Sequence, residues 1–278
     1  MPLLIVSILT ASMVNLGLSE AERQRMNGLR VVWHNYVAAA LLSAVLFYCK
    51  EALTMAWGEQ PAKSVLLGIA TGAVYLITFL INQQSIISCG PSLTILASKL
   101  GVMILVLAAA LLWQEPLTLS GIIGVLLACT ALFLFHGDHL SFHGLLPVVF
   151  LFGGLSEIVK KIYTLYGDTR YQYLFYCVVF VVCLLISSIL LYIRKIPLHV
   201  RLRECLLGWT IGAANLGATY FVICALTQLP ASVVFPSMSG GVILVTVLVG
   251  TLRFHDTLTK PRIAGLILTL VSLVLMNL

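Results

Sequence analysis

A single lysine interrupts one of the longest apolar stretches of the chain. Lys99 lies in the run SLTILASKLGVMILVLAAALL, about nine residues after the expected start of its helix, or roughly 14 Å along the axis. A lysine at the centre of a membrane costs about 2.5–3.5 kcal/mol, so it is expected to face a cavity or a charged partner. It can contact an anionic substrate group or carry a proton. It can equally form a structural ion pair or extend to the rim of a helix bundle.

Two further groups of polar residues lie inside apolar runs. Glu157 is spaced to pair with Lys160 or Lys161 on one helix face, as a gate, as a partner for Lys99, or as an interfacial ion pair. Residues 82–84 are three consecutive amides, Asn-Gln-Gln. At 100° per residue at least one of them must point into the bundle, to bind substrate or to join helices.

The remaining polar candidates are single residues in helices or small residues that leave room for a ligand. A lone amide or phenol in a bundle serves structure as readily as binding. The predicted substrate-binding residues are Lys99, Asn82, Gln83, Glu157, Lys160, Asn215, Tyr220, Ser237, Ser239 and Asn15. The sequence predicts no catalytic residue and no metal ligand.

The elements that hold these residues follow from composition. Of the 278 residues, 60% are hydrophobic and 9% are charged, with a mean hydropathy of +1.07. A soluble domain carries roughly 25% charged residues, so lipid must be the solvent for most of this surface. The apolar runs are long and continuous, and in lipid only helices or closed barrels satisfy the backbone. The sequence therefore predicts an all-α integral membrane protein.

Ten transmembrane helices are predicted, joined by short connections that contain helix-stopping residues. Their expected ranges are 2–18, 30–49, 63–87, 90–112, 117–135, 143–164, 171–193, 204–228, 231–252 and 261–277.

An internal repeat relates the two halves. Residues 66–76 (LLGIATGAVYL) match residues 206–216 (LLGWTIGAANL) at a shift of 140, and 115–124 match 256–265 at a shift of 141. The repeats are predicted to be 1–137 and 141–278, within one membrane domain. Five helices is an odd number, so the second repeat is inverted in the membrane, as in many transporters. The Gly68-x3-Gly72 and Gly208-x3-Gly212 pairs are predicted to be packing faces.

With this arrangement the chain resembles the drug/metabolite transporter superfamily, of the ten-helix EamA-like kind. The resemblance covers the whole chain and includes Glu115-Pro-Leu-Thr with Gly124, and Asp256-Thr-Leu-Thr with Gly265. The second copy has Asp where the family usually has Glu. The resemblance implies a central cavity, no cofactor, a metabolite substrate, and a bacterial inner (cytoplasmic) membrane.

Orientation is predicted differently by charge and by resemblance. One side of the predicted bundle carries ten Lys or Arg: Arg23, Arg25, Arg30, Arg194, Lys195, Arg201, Arg203, Arg253, Lys260 and Arg262. The other carries five: Lys50, Lys63, Lys160, Lys161 and Arg170. The positive-inside rule then places both termini outside, whereas the family usually has both in the cytoplasm.

These patterns favour a secondary transporter of a small polar metabolite. The central lysine favours an anionic substrate. No G-x4-G-K-[ST] motif occurs, so transport would use an ion, proton or substrate gradient. The alternatives are a lipid or lipid-linked sugar flippase of the same fold and a membrane-embedded enzyme. The expected partners are the substrate and the bilayer, with no nucleic acid; substrate identity, direction and oligomeric state stay open.

Overall fold

The computed structural model describes residues 2–52, 61–114, 119–136, 144–197, 201–229, 231–254 and 260–275. These residues form α-helices and no β-strand. In chain order the helices are α1 (Pro2–Arg23), α2 (Gly28–Phe47), α3 (Ala62–Cys89), α4 (Pro91–Leu100), α5 (Val102–Leu112), α6 (Leu119–His136), α7 (Leu145–Tyr166), α8 (Gln172–Ile193), α9 (Leu202–Leu226), α10 (Ala231–Phe254) and α11 (Lys260–Leu275). A π-helical turn at Tyr48–Ala52 follows α2, and a 3-10 turn at Thr169–Tyr171 precedes α8.

Among the described residues, six helical stretches are long and apolar enough to cross a membrane. They are Pro2–Arg23, Gly28–Ala52, Ala62–Cys89, Leu93–Leu112, Gln172–Ile193 and Leu202–Leu226. Their outer faces carry exposed large apolar side chains such as Leu66, Leu111 and Tyr192. A water-exposed surface rarely carries so many, whereas lipid covers them favourably. The chain therefore has the architecture of an all-α, multi-pass membrane protein.

The fourth predicted helix is interrupted in the structure. A turn at Gly101 separates α4 from α5, where the sequence predicted one continuous helix over 90–112. A Cβ at Gly101 would lie 2.4 Å from the backbone N of Gly154, so only glycine allows α7 to approach this closely. The break lies two residues after Lys99.

Helices of the first half of the chain (α1–α6) pack mainly on helices of the second half (α7–α11). The pairs with extensive contact are α1 with α9 and α10, α2 with α8 and α9, α3 with α7 and α8, α4 with α7, and α6 with α11. Buried small polar side chains support this packing; Ser7, for example, donates to the carbonyl of Ala218 at 3.1 Å. The two halves are interleaved.

The paired glycines form packing faces, as predicted. A Cβ at Gly72 would lie 2.7 Å from the carbonyl oxygen of Val179 in α8. A Cβ at Gly212 would lie 2.3 Å from the carbonyl oxygen of Asn35 in α2. Gly68 and Gly208 make similarly close approaches on the same two pairs of helices. The absence of a side chain therefore brings α3 onto α8 and α9 onto α2.

Two buried carboxylates join the halves at helix N-termini. Glu51 accepts hydrogen bonds from the backbone N–H groups of Tyr173 (2.6 Å) and Leu174 (2.8 Å), at the start of α8. Glu204 accepts from the N–H of Asn27 at 3.2 Å, just before α2. A helix N-terminus has unpaired N–H groups and a partial positive charge. Each carboxylate accepts hydrogen bonds from such N–H groups, and its negative charge interacts favourably with the helix dipole.

Candidate functional site

A cavity lies between the two halves of the chain. It is lined by α1, α3 and α4 from the first half and by α7, α9 and α10 from the second. It holds about 910 Å³ of space not filled by protein atoms, part of which opens to the surface. The polar lining residues are Asn15, Tyr75, Thr78, Asn82, Ser98, Lys99, Ser156, Glu157, Lys160, Asn215, Thr219 and Ser239.

Among the residues that the structure describes, three charged side chains line the cavity. Lys160 forms an ion pair with Glu157 one turn earlier on α7, and both side chains are largely buried. Lys99 lies on α4, and no acidic group of the described chain is within ion-pair distance of its amino group. Because Glu157 compensates Lys160, the charge of Lys99 is left in excess. The lining therefore favours an anionic group near Lys99.

Of the three described amides that line the cavity, Asn215 and Asn82 have different surroundings. Asn215 donates from Nδ2 to Oδ1 of Asn35 at 3.3 Å, so part of its hydrogen-bonding capacity joins α9 to α2. The Oδ1 atom of Asn82 is buried and accepts no hydrogen bond in the described structure. A buried polar atom without a partner costs about 1–3 kcal/mol, a cost that a hydrogen-bonding ligand would remove.

Helical periodicity explains why these side chains meet. Tyr75, Thr78 and Asn82 are three and four residues apart, so they share one face of α3. Asn215 and Thr219 share a face of α9 in the same way. The cavity lining also includes residues that were not predicted from the sequence: Tyr75, Thr78, Ser98, Ser156 and Thr219. Extending the helix face of each predicted residue by three or four positions finds Thr78, Ser156 and Thr219.

Three predicted residues do not line the cavity. Gln83 lies against Gly28 at the start of α2, in a separate small space. The ring of Tyr220 packs among aromatic side chains, with ring centroids 6.2 Å from Tyr173 and 6.1 Å from Tyr176. Ser237 is on α10, and its neighbour Ser239 lines the cavity instead. Asn15, Asn82, Lys99, Glu157, Lys160, Asn215 and Ser239 are brought together.

The pairing predicted for Glu157 is confirmed, with Lys160 as its partner. Lys161 points elsewhere: its amino group lies 4.9 Å from the centroid of the Trp113 ring, as a cation–π contact. The next residue along a helix is rotated by 100°, so two adjacent lysines reach different surroundings. Only the first of them faces the cavity.

Three glycines set the distance between the helices that carry Lys99 and Glu157. A Cβ at Gly153 would lie 2.3 Å from the carbonyl oxygen of Ser98, and one at Gly154 would lie 2.5 Å from that of Gly101. These distances are too short for any side chain. The backbones of α4 and α7 are therefore in direct contact beside the cavity, and this contact fixes the charged lining.

Replacing Gly153 by Ala is expected to lower the free energy of unfolding by ~1–3 kcal/mol, because the new methyl group can be accommodated only if α4 moves away from α7. Thermal unfolding of the purified protein in detergent measures the change. Gly144→Ala, just before the same helix, is the matched control because a Cβ there has nothing within 4 Å. Equal stability of the two variants would show that α4 and α7 are not in close contact.

Comparisons with known proteins identify the fold alone. No family model matches the chain, and no curated protein matches it. One solved structure, described only as the crystal structure of a protein, superposes with a TM-score of 0.69 and 12% sequence identity. The match covers 98% of this chain and 94% of that one, so the arrangement of helices extends over both chains almost completely.

Proposed function

We propose that this protein is a secondary transporter that moves a small polar metabolite with an anionic group through the cavity between its two halves. The observation that carries the proposal is the lining of that cavity. Lys99 has no acidic partner within ion-pair distance among the described residues, and the buried Oδ1 of Asn82 accepts no hydrogen bond there. Such groups are costly in a membrane protein and are common where polar substrates bind.

The pairing of helices supports an inverted repeat of five spans, with α4 and α5 counted as one span. In this repeat α1 corresponds to α7, α2 to α8 and α3 to α9. When each helix is replaced by its counterpart, the α1–α9 contact becomes the α7–α3 contact, and the α2–α9 contact becomes the α8–α3 contact; both are present. The α2–α8 and α6–α11 contacts are each turned into themselves. A structure with this exchange symmetry can open alternately to either side by exchanging the conformations of its halves.

We infer membership of the drug/metabolite transporter superfamily and a place in the bacterial inner membrane from the resemblance noted above. The repeat at 66–76 and 206–216 lies in α3 and α9, and its glycines contact α8 and α2, which are also five spans apart. Residues 115–118 and 255–259, which carry much of the second repeated motif, lie outside the described residues. The resemblance implies no cofactor.

Proteoliposomes containing the purified protein test this function. A mixed pool of metabolites, grouped by charge, is supplied outside while the lumen is sampled over time, with protein-free liposomes as the control. We expect anionic metabolites to accumulate or exchange in a protein-dependent way, and neutral and cationic ones to lag behind them. Repeating the assay with imposed proton and sodium gradients identifies the coupling ion.

Two other results would overturn the proposed function and indicate a different one. Movement of a fluorescent phospholipid between leaflets, without uptake of any water-soluble metabolite, would make the protein a flippase of the same fold. Hydrolysis of a lipid without transport would make it a membrane-embedded enzyme.

A further inference from the structure

A second concave site lies at the end of the helix bundle where α1 ends, away from the central cavity. It is formed where α1 ends and α9 begins, and we call it the arginine groove. Its lining includes Arg25, Arg201 and Arg203, which we call the mouth, and Leu202, Leu206 and Thr210, which we call the wall. It encloses about 1780 Å³ of space, including space open to the surroundings.

The three arginines reach the groove from two separate connections. Arg25 lies in the turn between α1 and α2, where it has a φ of 49°, an uncommon conformation for a residue other than glycine. Hydrogen bonds from its N–H to the carbonyl of Glu22 and from Met26 to Ala21, both at 2.9 Å, hold the turn. Arg201 and Arg203 come from the segment that opens α9. All three are exposed.

The charge of the groove is positive. Its acidic residue, Glu204, is buried and held by Arg30 at 2.9 Å and by the N–H of Asn27. No ion pair of the described residues involves the three groove arginines. Guanidinium groups bind phosphate oxygens in a bidentate way, so three of them at one mouth suit a phosphate monoanion.

The wall of the groove indicates that the phosphate belongs to a lipid. Leu202 and Leu206 are 69% and 60% exposed, and Trp209 one turn further along is 46% exposed. They form an apolar stripe along α9, a helix long and apolar enough to cross a membrane. A phospholipid with its headgroup at the arginines would lay an acyl chain along this stripe. A water-soluble phosphate would leave the stripe unused.

We propose that the arginine groove binds one anionic phospholipid of the phosphatidylglycerol type. It lies on the side of the predicted bundle that carries ten Lys or Arg rather than five. Clustered basic residues at a membrane interface recognise anionic headgroups. This site is separate from the transport cavity and does not depend on the transporter proposal.

Delipidated protein in detergent, titrated with phosphatidylglycerol or phosphatidylcholine, tests the assignment by native mass spectrometry and by the shift in unfolding temperature. We expect tighter binding of phosphatidylglycerol. The triple variant Arg25→Gln/Arg201→Gln/Arg203→Gln should lose affinity about 100-fold, or about fivefold per arginine, which corresponds to ~1 kcal/mol for each charge near the surface. Arg203→Gln alone should lose about fivefold in affinity for phosphatidylglycerol. This single variant replaces the triple variant in the test if the triple variant folds poorly.

The matched control is Arg194→Gln/Lys195→Gln, which removes two exposed cations from the same side of the protein but outside the groove. It should bind phosphatidylglycerol as the wild type does. Equal affinity of the triple variant and the wild type would overturn the proposal, as would equal binding of the two lipids. If glycerol phosphate displaced the lipid at equal concentration, the site would belong to a soluble phosphate instead.

Discussion

Lys99→Gln is expected to reduce the uptake of anionic metabolites by about 30-fold or more, with folding retained. In the proposed complex Lys99 pairs with the anionic group of the substrate. Removing one partner from such a buried charge pair costs about 2–5 kcal/mol of binding free energy, and each 1.4 kcal/mol changes the affinity tenfold. Gln keeps most of the length of the side chain and removes its positive charge, which Lys160 cannot replace because it pairs with Glu157. Initial uptake rates in proteoliposomes, divided by the amount of folded protein, measure the effect.

The matched control for this variant is Lys63→Gln, which removes an exposed lysine at the start of α3, outside the cavity. Its uptake should equal that of the wild type. A purely structural Lys99 would give a different pattern: Lys99→Gln would shift the unfolding temperature, while uptake per folded molecule would be unchanged. That result would remove Lys99 from the binding site.

Glu204→Ala is expected to lower the free energy of unfolding by ~3–5 kcal/mol, the largest effect on stability that we predict. Arg30 approaches Glu204 through two nitrogens, Nε at 2.9 Å from Oε2 and a terminal nitrogen at 3.2 Å from Oε1. Both side chains are buried, 10% and 2% exposed. Truncating Glu204 leaves a buried guanidinium without its counter-charge and removes the acceptor for the N–H of Asn27.

Unfolding in detergent by heat or by denaturant checks this prediction. The double variant Arg30→Met/Glu204→Leu should be more stable than Glu204→Ala alone, because replacing both charges leaves neither unpaired. Asp168→Ala disrupts an ion pair with Arg170, whose side chain is 74% exposed, and should have a much smaller effect because water screens that pair. A change in Glu204→Ala as small as that in Asp168→Ala would contradict a buried pair.

Hydropathy alone located most helix boundaries. α3 begins and ends within two residues of its prediction, and α8 begins within one. The interruption at Gly101 was not predictable in this way, because a single glycine inside a long apolar run is compatible with a continuous helix and the close approach of α7 is not visible in the local sequence. The helices against which each helix packs were also not predictable from hydropathy, since contacts such as α1 with α9 join segments far apart in the chain.

The candidate site was predictable as a set of polar residues but not in its details. The long apolar run made Lys99 conspicuous, and the structure puts it in the cavity with Asn82. Gln83 is the next residue on α3 and points to a different neighbour, Gly28. Which of two adjacent amides faces the cavity depends on how the helix is rotated about its axis. That rotation is determined by its neighbours, which the sequence of one helix does not specify.

Because the two halves of the chain are interleaved, residues that contact each other in the folded protein are synthesised at widely separated times. Arg30 precedes its partner Glu204 by 174 residues, so the first helices leave the ribosome long before the partner exists. At 5–20 residues per second this interval is roughly 9–35 s. During it, Arg30 must stay hydrated or shielded from lipid, because α9 has not yet been made. We therefore expect newly made chains to need the insertion machinery to hold unfinished bundles until α9 is added.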